Sequence, residues 1–436
     1  MRDARRRERW CQVLLFLLLF LSCAYFLPRR VDWNQNGRVD LVLAIVDQGR
    51  LAIDDYRGNT GDYAHFGGHY YSDKAPGASF LGVPFYWAFR TAARLPALGA
   101  LLERGAAGAA PGPASPQEGE GLFPWRGYFA LALYATTLGA ASLPSALLGL
   151  LLYRLARRLG AGMGDAALLT AVYGLGTGAF PYGGALYGHM LAAFCLFGAF
   201  YLLRGARESA GGSWRFLAAG FLLAWAVVTE FPMSLPAAAI GLYGVYVGRS
   251  GRNLAWMALG ALPPAGLLAL YDLAIYGSPL PLGYRYSELW QEEVSTGFMT
   301  LTFPTLERLW GITFSPYRGL FFLSPALLFA IPGLAALGRR RDWRAEWITL
   351  LAVVAVLLLF NASLPAAGRT LPGPAHRRRA ARRALETLAL RRAGAAFHLL
   401  GLGADDHIHQ VLSARGAAFP AAGTRAARTG PRRDRA

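Results

Sequence analysis

Lysine is almost missing from this chain. Of its 44 Lys and Arg side chains only Lys74 is a lysine, so arginine serves wherever a plain positive charge is needed. An ammonium is a compact charge with three rotatable donors, whereas guanidinium is a planar fork, so a lone lysine marks a place with a different requirement. Charge of any kind is scarce as well. Asp, Glu, Lys and Arg make up 16% of the 436 residues and hydrophobic residues 54%, against about 25% charged in a soluble domain. With several apolar runs of the roughly 17–25 residues that cross a bilayer, this excludes a soluble globular enzyme and implies a polytopic, all-α membrane protein. Cysteine is rare: Cys11, Cys23 and Cys195 all lie in apolar runs, without metal-ligand spacing or a disulfide framework, and core packing accounts for them. There is no internal repeat, no heptad pattern and no nucleotide-binding glycine motif. Gly174, Gly176 and Gly178 sit in an apolar run and fit close helix packing. No metal and no cofactor is expected.

The runs predict about nine spans: roughly 11–27, 127–152, 166–181, 183–203, 216–231, 233–248, 255–276, 318–337 and 346–361. Arg2, Arg5, Arg6, Arg7 and Arg9 precede the first, and Tyr25-Phe26-Leu27-Pro28 offers no small-residue cleavage site, so this span reads as a retained anchor. Charge placement sets the topology. If 76–97 also crossed, the arginines at 154, 157 and 158 would fall outside, against the positive-inside trend. With 76–97 lying on the outer face as an interfacial helix, the arginine loops at 154–158, 204–215, 249–252 and 339–344 all face the cytoplasm. Residues 28–124 then form a large first external loop and 277–317 a second, in a cytoplasmic (plasma) membrane protein. The Ala/Gly/Pro/Ser-rich stretch 98–122 reads as a linker.

The polar chemistry concentrates in the first loop, from Asn34 to Lys74. Val39, Leu41, Val42, Leu43, Ile45 and Val46 recur at near-helical spacing and predict a short amphipathic helix between Asp32 and Gly49. Arg38 and Asp40 would project from it. Pro76 would open a second helix and place Lys74 just before its N-terminus, where free N–H groups favour an anion. A phosphate at the membrane surface is the expected anion.

Arg38, then Ile53-Asp54-Asp55-Tyr56, then Tyr70-Tyr71-Ser72-Asp73-Lys74-Ala75-Pro76 leading into a helix, together resemble the first periplasmic loop of GT-C-fold glycosyltransferases. These are membrane enzymes related to the protein O-mannosyltransferases and to the aminoarabinose transferase of lipid A (glycosyltransferase-39-like). The resemblance covers about residues 10–363. It implies transfer of a sugar, with inversion, from a polyprenyl-phosphate carrier to an extracytoplasmic acceptor, and two juxtamembrane helices in the loop. It also implies a carboxylate two or three residues before the arginine of the first helix, but here that place reads Gln35-Asn36-Gly37-Arg38. An inverting transfer needs a base within reach of the acceptor hydroxyl. Asp55 and Asp62 are the candidates, with Asp40 also in the loop, each weighed against simple turn or helix capping. Lys74, Arg38 and Arg318 are the candidate ligands of the donor phosphate, although interfacial anchoring also suits Arg318. Asn36, His69, Tyr71 and Glu230 are candidate substrate contacts. Glu230 sits between two short spans and suits either a polar cavity or the interface, while His189 fits a packing histidine.

After Asn361-Ala362-Ser363 the chain turns to Ala, Arg, Gly and Pro and carries about +10 of the net +18. Residues 364–436 read as a basic low-complexity tail, either disordered or out-of-frame translation of a GC-rich gene, without a compact fold. The tail lacks interleaved aromatics, so nucleic acid is not an expected partner; the bilayer, a polyprenyl-phosphate sugar and an unidentified acceptor are. The other function class is a non-catalytic transporter or flippase of lipid-linked intermediates. Such a protein would place polar residues near the midplane in broken, repeated helices, whereas here they lie in an external loop.

Overall fold

The computed structural model describes residues 2–26, 31–96, 126–208, 212–279, 283–289 and 301–364. The chain divides into units Met1–Arg369 and Thr370–Ala436. The second unit, and with it nearly all of the expected tail, lies outside the described residues, as do the expected linker at 98–122 and residues 290–300 of the expected second external loop.

Six described helical stretches are long and apolar enough to cross a membrane: Asp3–Tyr25, Gly127–Arg158, His189–Glu208, Phe231–Gly248, Gly251–Tyr276 and Arg341–Ala362. The three other expected spans form shorter helices. Residues 166–181 split into α6 (Met163–Gly176) and a five-residue helix α7 (Ala179–Gly183). The run at 216–231 makes the 17-residue helix α9 (Ser213–Thr229), which stops at an extended Glu230. Past α12 (Leu306–Thr313), the run at 318–337 breaks into α13 (Leu320–Leu323), a 3₁₀ turn at Pro325–Phe329 and α14 (Ala330–Gly338). Pro325 and Pro332 withdraw two of the donors a continuous helix would need there.

The long elements are α1 (Arg2–Tyr25), α8 (His189–Glu208), α10 (Ser234–Gly248), α11 (Gly251–Tyr276) and α15 (Arg344–Ala362). Beside them, α4 (Arg126–Thr137) runs through a π turn at Leu138–Ser142 into α5 (Leu143–Arg158). Helices α9 and α11 pack backbone against backbone. A Cβ on Gly220 would lie 1.8 Å from the Met257 carbonyl oxygen, and one on Gly260 would lie 1.9 Å from that of Leu217. In lipid, where apolar surface alone drives no association, such small residues permit the contact that holds helices together.

The polar loop folds against one end of this bundle. Helix α2 (Trp33–Leu43) starts where Asp32 accepts a hydrogen bond from the Gln35 N–H, and it ends through a π turn at a left-handed Gly49. A hairpin follows, absent from the sequence expectation: β1 (Tyr63–Phe66) pairs antiparallel with β2 (His69–Ser72), with Ala64 opposite Tyr71. Gly67 and Gly68 both have positive φ, as a two-residue hairpin turn demands. Ser287, from the stretch expected to form a second external loop, bridges to Ala64 and extends the hairpin by one residue. Helix α3 (Gly77–Ala93) then lies against α2 and α4, with Tyr86 fully buried.

The opposite end gathers arginines. Glu8 of α1 pairs with Arg157 of α5 at 3.1 Å. Glu346 of α15, completely buried, lies 2.7 Å from Arg207 and 3.2 Å from Arg204, both on α8, and accepts a 2.5 Å hydrogen bond from the Tyr243 hydroxyl of α10.

Candidate functional site

Helix α2 carries two buried charged residues, Arg38 and Asp40, which meet different partners. Arg38 is 1% exposed. Its Nη2 lies 2.7 Å from Glu230 Oε1, its Nε donates to the Asn34 side chain at 3.1 Å, and its Nη1 donates to the Ala75 carbonyl at 3.2 Å. The extended Glu230 that ends α9 is thus the counter-ion of Arg38. His189, at the start of α8, has its Nδ1 3.8 Å from the same carboxylate oxygen. The Tyr187 ring stacks on His189, and its hydroxyl donates to Asp32. The sequence treats Arg38 and Glu230 as separate candidates 192 positions apart; the fold makes them one ion pair.

Lys74 forms a second buried cluster. Its Nζ lies 2.6 Å from Asp62 Oδ2 and 3.1 Å from Asp73 Oδ1, and the three side chains are 6%, 7% and 0% exposed. Ser287 Oγ donates to the other oxygen of Asp73 at 2.9 Å. Hairpin geometry makes this arrangement. Asp62 immediately precedes β1 and Asp73 immediately follows β2, so pairing Tyr63 with Ser72 brings the two carboxylates to the open end of the ribbon. Burial pushes the Asp73 carboxyl up to about 6, with Lys74 opposing the rise and Asp62 adding to it. The clusters adjoin in the chain: Arg38 binds the carbonyl of Ala75, the residue after Lys74.

Surroundings separate the aspartates. Asp40 is fully buried and, among the described residues, accepts from the Asn59 amide at 3.0 Å with no cation beside it. Burial lifts it well above the ordinary carboxylate range, against the pull of that hydrogen bond. Asp55 is exposed on the turn after α2, where it accepts from the Gln48 side chain at 2.8 Å. Among the three, Asp62 alone faces a cation at contact distance.

The remaining candidates are dispersed. The Asn36 amide donates to the Asn59 carbonyl at 2.7 Å, holding the 57–59 turn against α2. His69 is exposed on the hairpin, 2.7 Å from Asp54. Tyr71 is half-buried and packs near Tyr276. Arg318 is exposed, its guanidinium over the neighbouring Tyr317 ring. Two further groups escaped sequence reasoning. Asp73 stands next to Lys74, yet nothing in its spelling distinguishes it from the other loop aspartates. Asp272, buried at 4% exposure, is the one acid of α11, and that isolation was a usable signal. Among the described residues, no group of His, Cys, Asp and Glu is placed to hold a metal.

Six long apolar helices and the buried ion pairs at their ends define a largely helical, multi-spanning membrane protein. Compared with family models, curated proteins and solved structures, the chain matches none.

Proposed function

We propose that this protein is an integral-membrane glycosyltransferase that moves a sugar, with inversion, from a polyprenyl-phosphate carrier to an acceptor on the extracytoplasmic side. The observation that carries this reading is the buried Lys74–Asp62–Asp73 cluster at the mouth of the hairpin, immediately before α3. It pairs a candidate base with a cation suited to phosphate. By the positive-inside trend, the arginine-rich end, with Arg157, Arg204 and Arg207, is cytoplasmic and the cluster lies on the other side.

In this reading the acceptor hydroxyl oxygen forms a bond to the anomeric carbon while the bond from that carbon to the carrier phosphate oxygen breaks. Attack opposite the leaving group inverts the centre. Asp62 takes the hydroxyl proton, and negative charge gathers on the departing phosphate, where Lys74 and Arg38 stabilise it. The donor phosphate would exchange with a carboxylate on Lys74, and that exchange would release Asp62 to act as base. Glu230 orients Arg38, and Asn36 orders the loop around it.

The test is transfer of labelled sugar from a polyprenyl-phosphate donor in proteoliposomes. Asp62→Asn is expected to lower the rate at least 100-fold, on the order of a lost general base. Lys74→Gln should weaken use of the donor, and Asp55→Asn should leave transfer near wild type. Unchanged transfer in both Asp62→Asn and Lys74→Gln would refute the site. Transbilayer movement of the lipid by wild type, without transfer from any donor, would favour a flippase.

A further inference from the structure

An open groove of about 870 Å³ runs between α1 and α6. Its walls are apolar, with Leu14 and Leu18 on one side and Met163 on the other, and its mouth carries Arg6, Arg7 and Trp10. It lies toward the arginine-rich end, remote from the Lys74 cluster, because Arg6 and Arg7 flank the same turn as Glu8, the partner of Arg157. Deeper along α1 the helices close up: Leu19 seats against Gly149 and Gly174.

Charge at the mouth is unbalanced. Arg6 and Arg7 are exposed and make no ion pair or hydrogen bond among the described residues. Glu8, the nearest acid along the helix, is engaged by Arg157 and the Tyr153 hydroxyl. Asp3 also lines the mouth, leaving two guanidinium groups against one carboxylate. From Arg7 to Leu18 the helix rises about 16 Å, room for much of an acyl chain below a headgroup. Trp10, 57% exposed, is placed as an interfacial aromatic would be. Guanidinium forks match phosphate oxygens in geometry and charge.

We infer that this groove binds one anionic phospholipid, its headgroup phosphate on Arg6 and Arg7 and one acyl chain along Leu14, Leu18 and Met163. The site is independent of the proposed transfer chemistry. Retention of phosphatidylglycerol and phosphatidylcholine by the full chain, extracted from mixed vesicles and weighed by native mass spectrometry, tests it. Wild type should hold one phosphatidylglycerol in preference. The double variant Arg6→Gln/Arg7→Gln should bind it roughly thirtyfold more weakly, the worth of two basic residues at an anionic surface. Leu14→Trp fills the exposed groove without touching the arginines or the face of α1 that packs on α5, and it should displace the lipid as well. Equal retention of the two lipids by wild type would overturn the proposal. So would full retention by Leu14→Trp, which would reduce the effect to general attraction of headgroups, or, with polyprenyl phosphate added to the same vesicles, its uptake in preference to phosphatidylglycerol.

Discussion

Asp40, Asp55, Asp62 and Asp73 are the same residue type within one loop, and their environments give them four different characters. Asp40 is buried against the Asn59 amide, Asp55 faces water, Asp62 meets Lys74, and Asp73 is buried between Lys74 and Ser287. Asp73 carries a measurable consequence. Its carboxyl is pushed by burial up to about 6 from an ordinary 3.8, so the folded chain holds this proton more tightly than the unfolded chain does. The contribution to stability is therefore complete below about pH 4 and declines as pH rises to about 6. Thermal unfolding in detergent should show that decline in wild type. Asp73→Asn, which cannot ionise, should lack it, and an identical pH dependence in the two proteins would contradict the assignment. Sequence made Lys74 legible through its rarity and Arg38 through its place in a predicted helix. It could not choose among the aspartates, because the choice depends on burial and on partners brought in by strand pairing.

At the scale of elements, two contacts set how the helices meet. Glu346 ties α15 to α8 and α10 through Arg204, Arg207 and Tyr243. Removing one member of a buried ionic cluster strands the others' charge, so Glu346→Ala should destabilise the protein by about 3–5 kcal/mol. Its unfolding midpoint, read by loss of helical circular dichroism, should fall accordingly, whereas Glu208→Ala, on a partly exposed partner of Arg204, should change it little. Gly260→Leu would drive a side chain into the Leu217 carbonyl and force α9 from α11. A loss of about 1–3 kcal/mol is expected by the same measurement. Helix α2, the start of α3 at Pro76 and the long apolar helices were readable from periodicity and proline placement. The hairpin was not, because its four-residue strands are too short for a clear alternation and Gly67-Gly68 reads equally well as a plain loop. The shortening of the run at 318–337 was signalled by its prolines and hidden by its unbroken hydrophobicity.

For the molecule as a whole, the charged groups sort to the two ends of the bundle, and sidedness is the property to measure. On a background with Cys11, Cys23 and Cys195 replaced by alanine, a cysteine introduced at the exposed His69 should react with an impermeant maleimide added outside intact cells. One at the exposed Arg252 should react only after the membrane is opened. The reverse pattern would place the Lys74 cluster in the cytoplasm and remove the basis for extracytoplasmic transfer. The sequence alone determined that this chain lives in a bilayer, since apolar length and scarcity of charge are one-dimensional properties that no folding changes. It also determined where the polar chemistry lies along the chain. Only the tertiary structure decided that Arg38 belongs to Glu230 and Lys74 to Asp62 and Asp73. Those pairings join residues from different elements, and a buried charge takes its character from whatever the fold sets within a few ångströms of it.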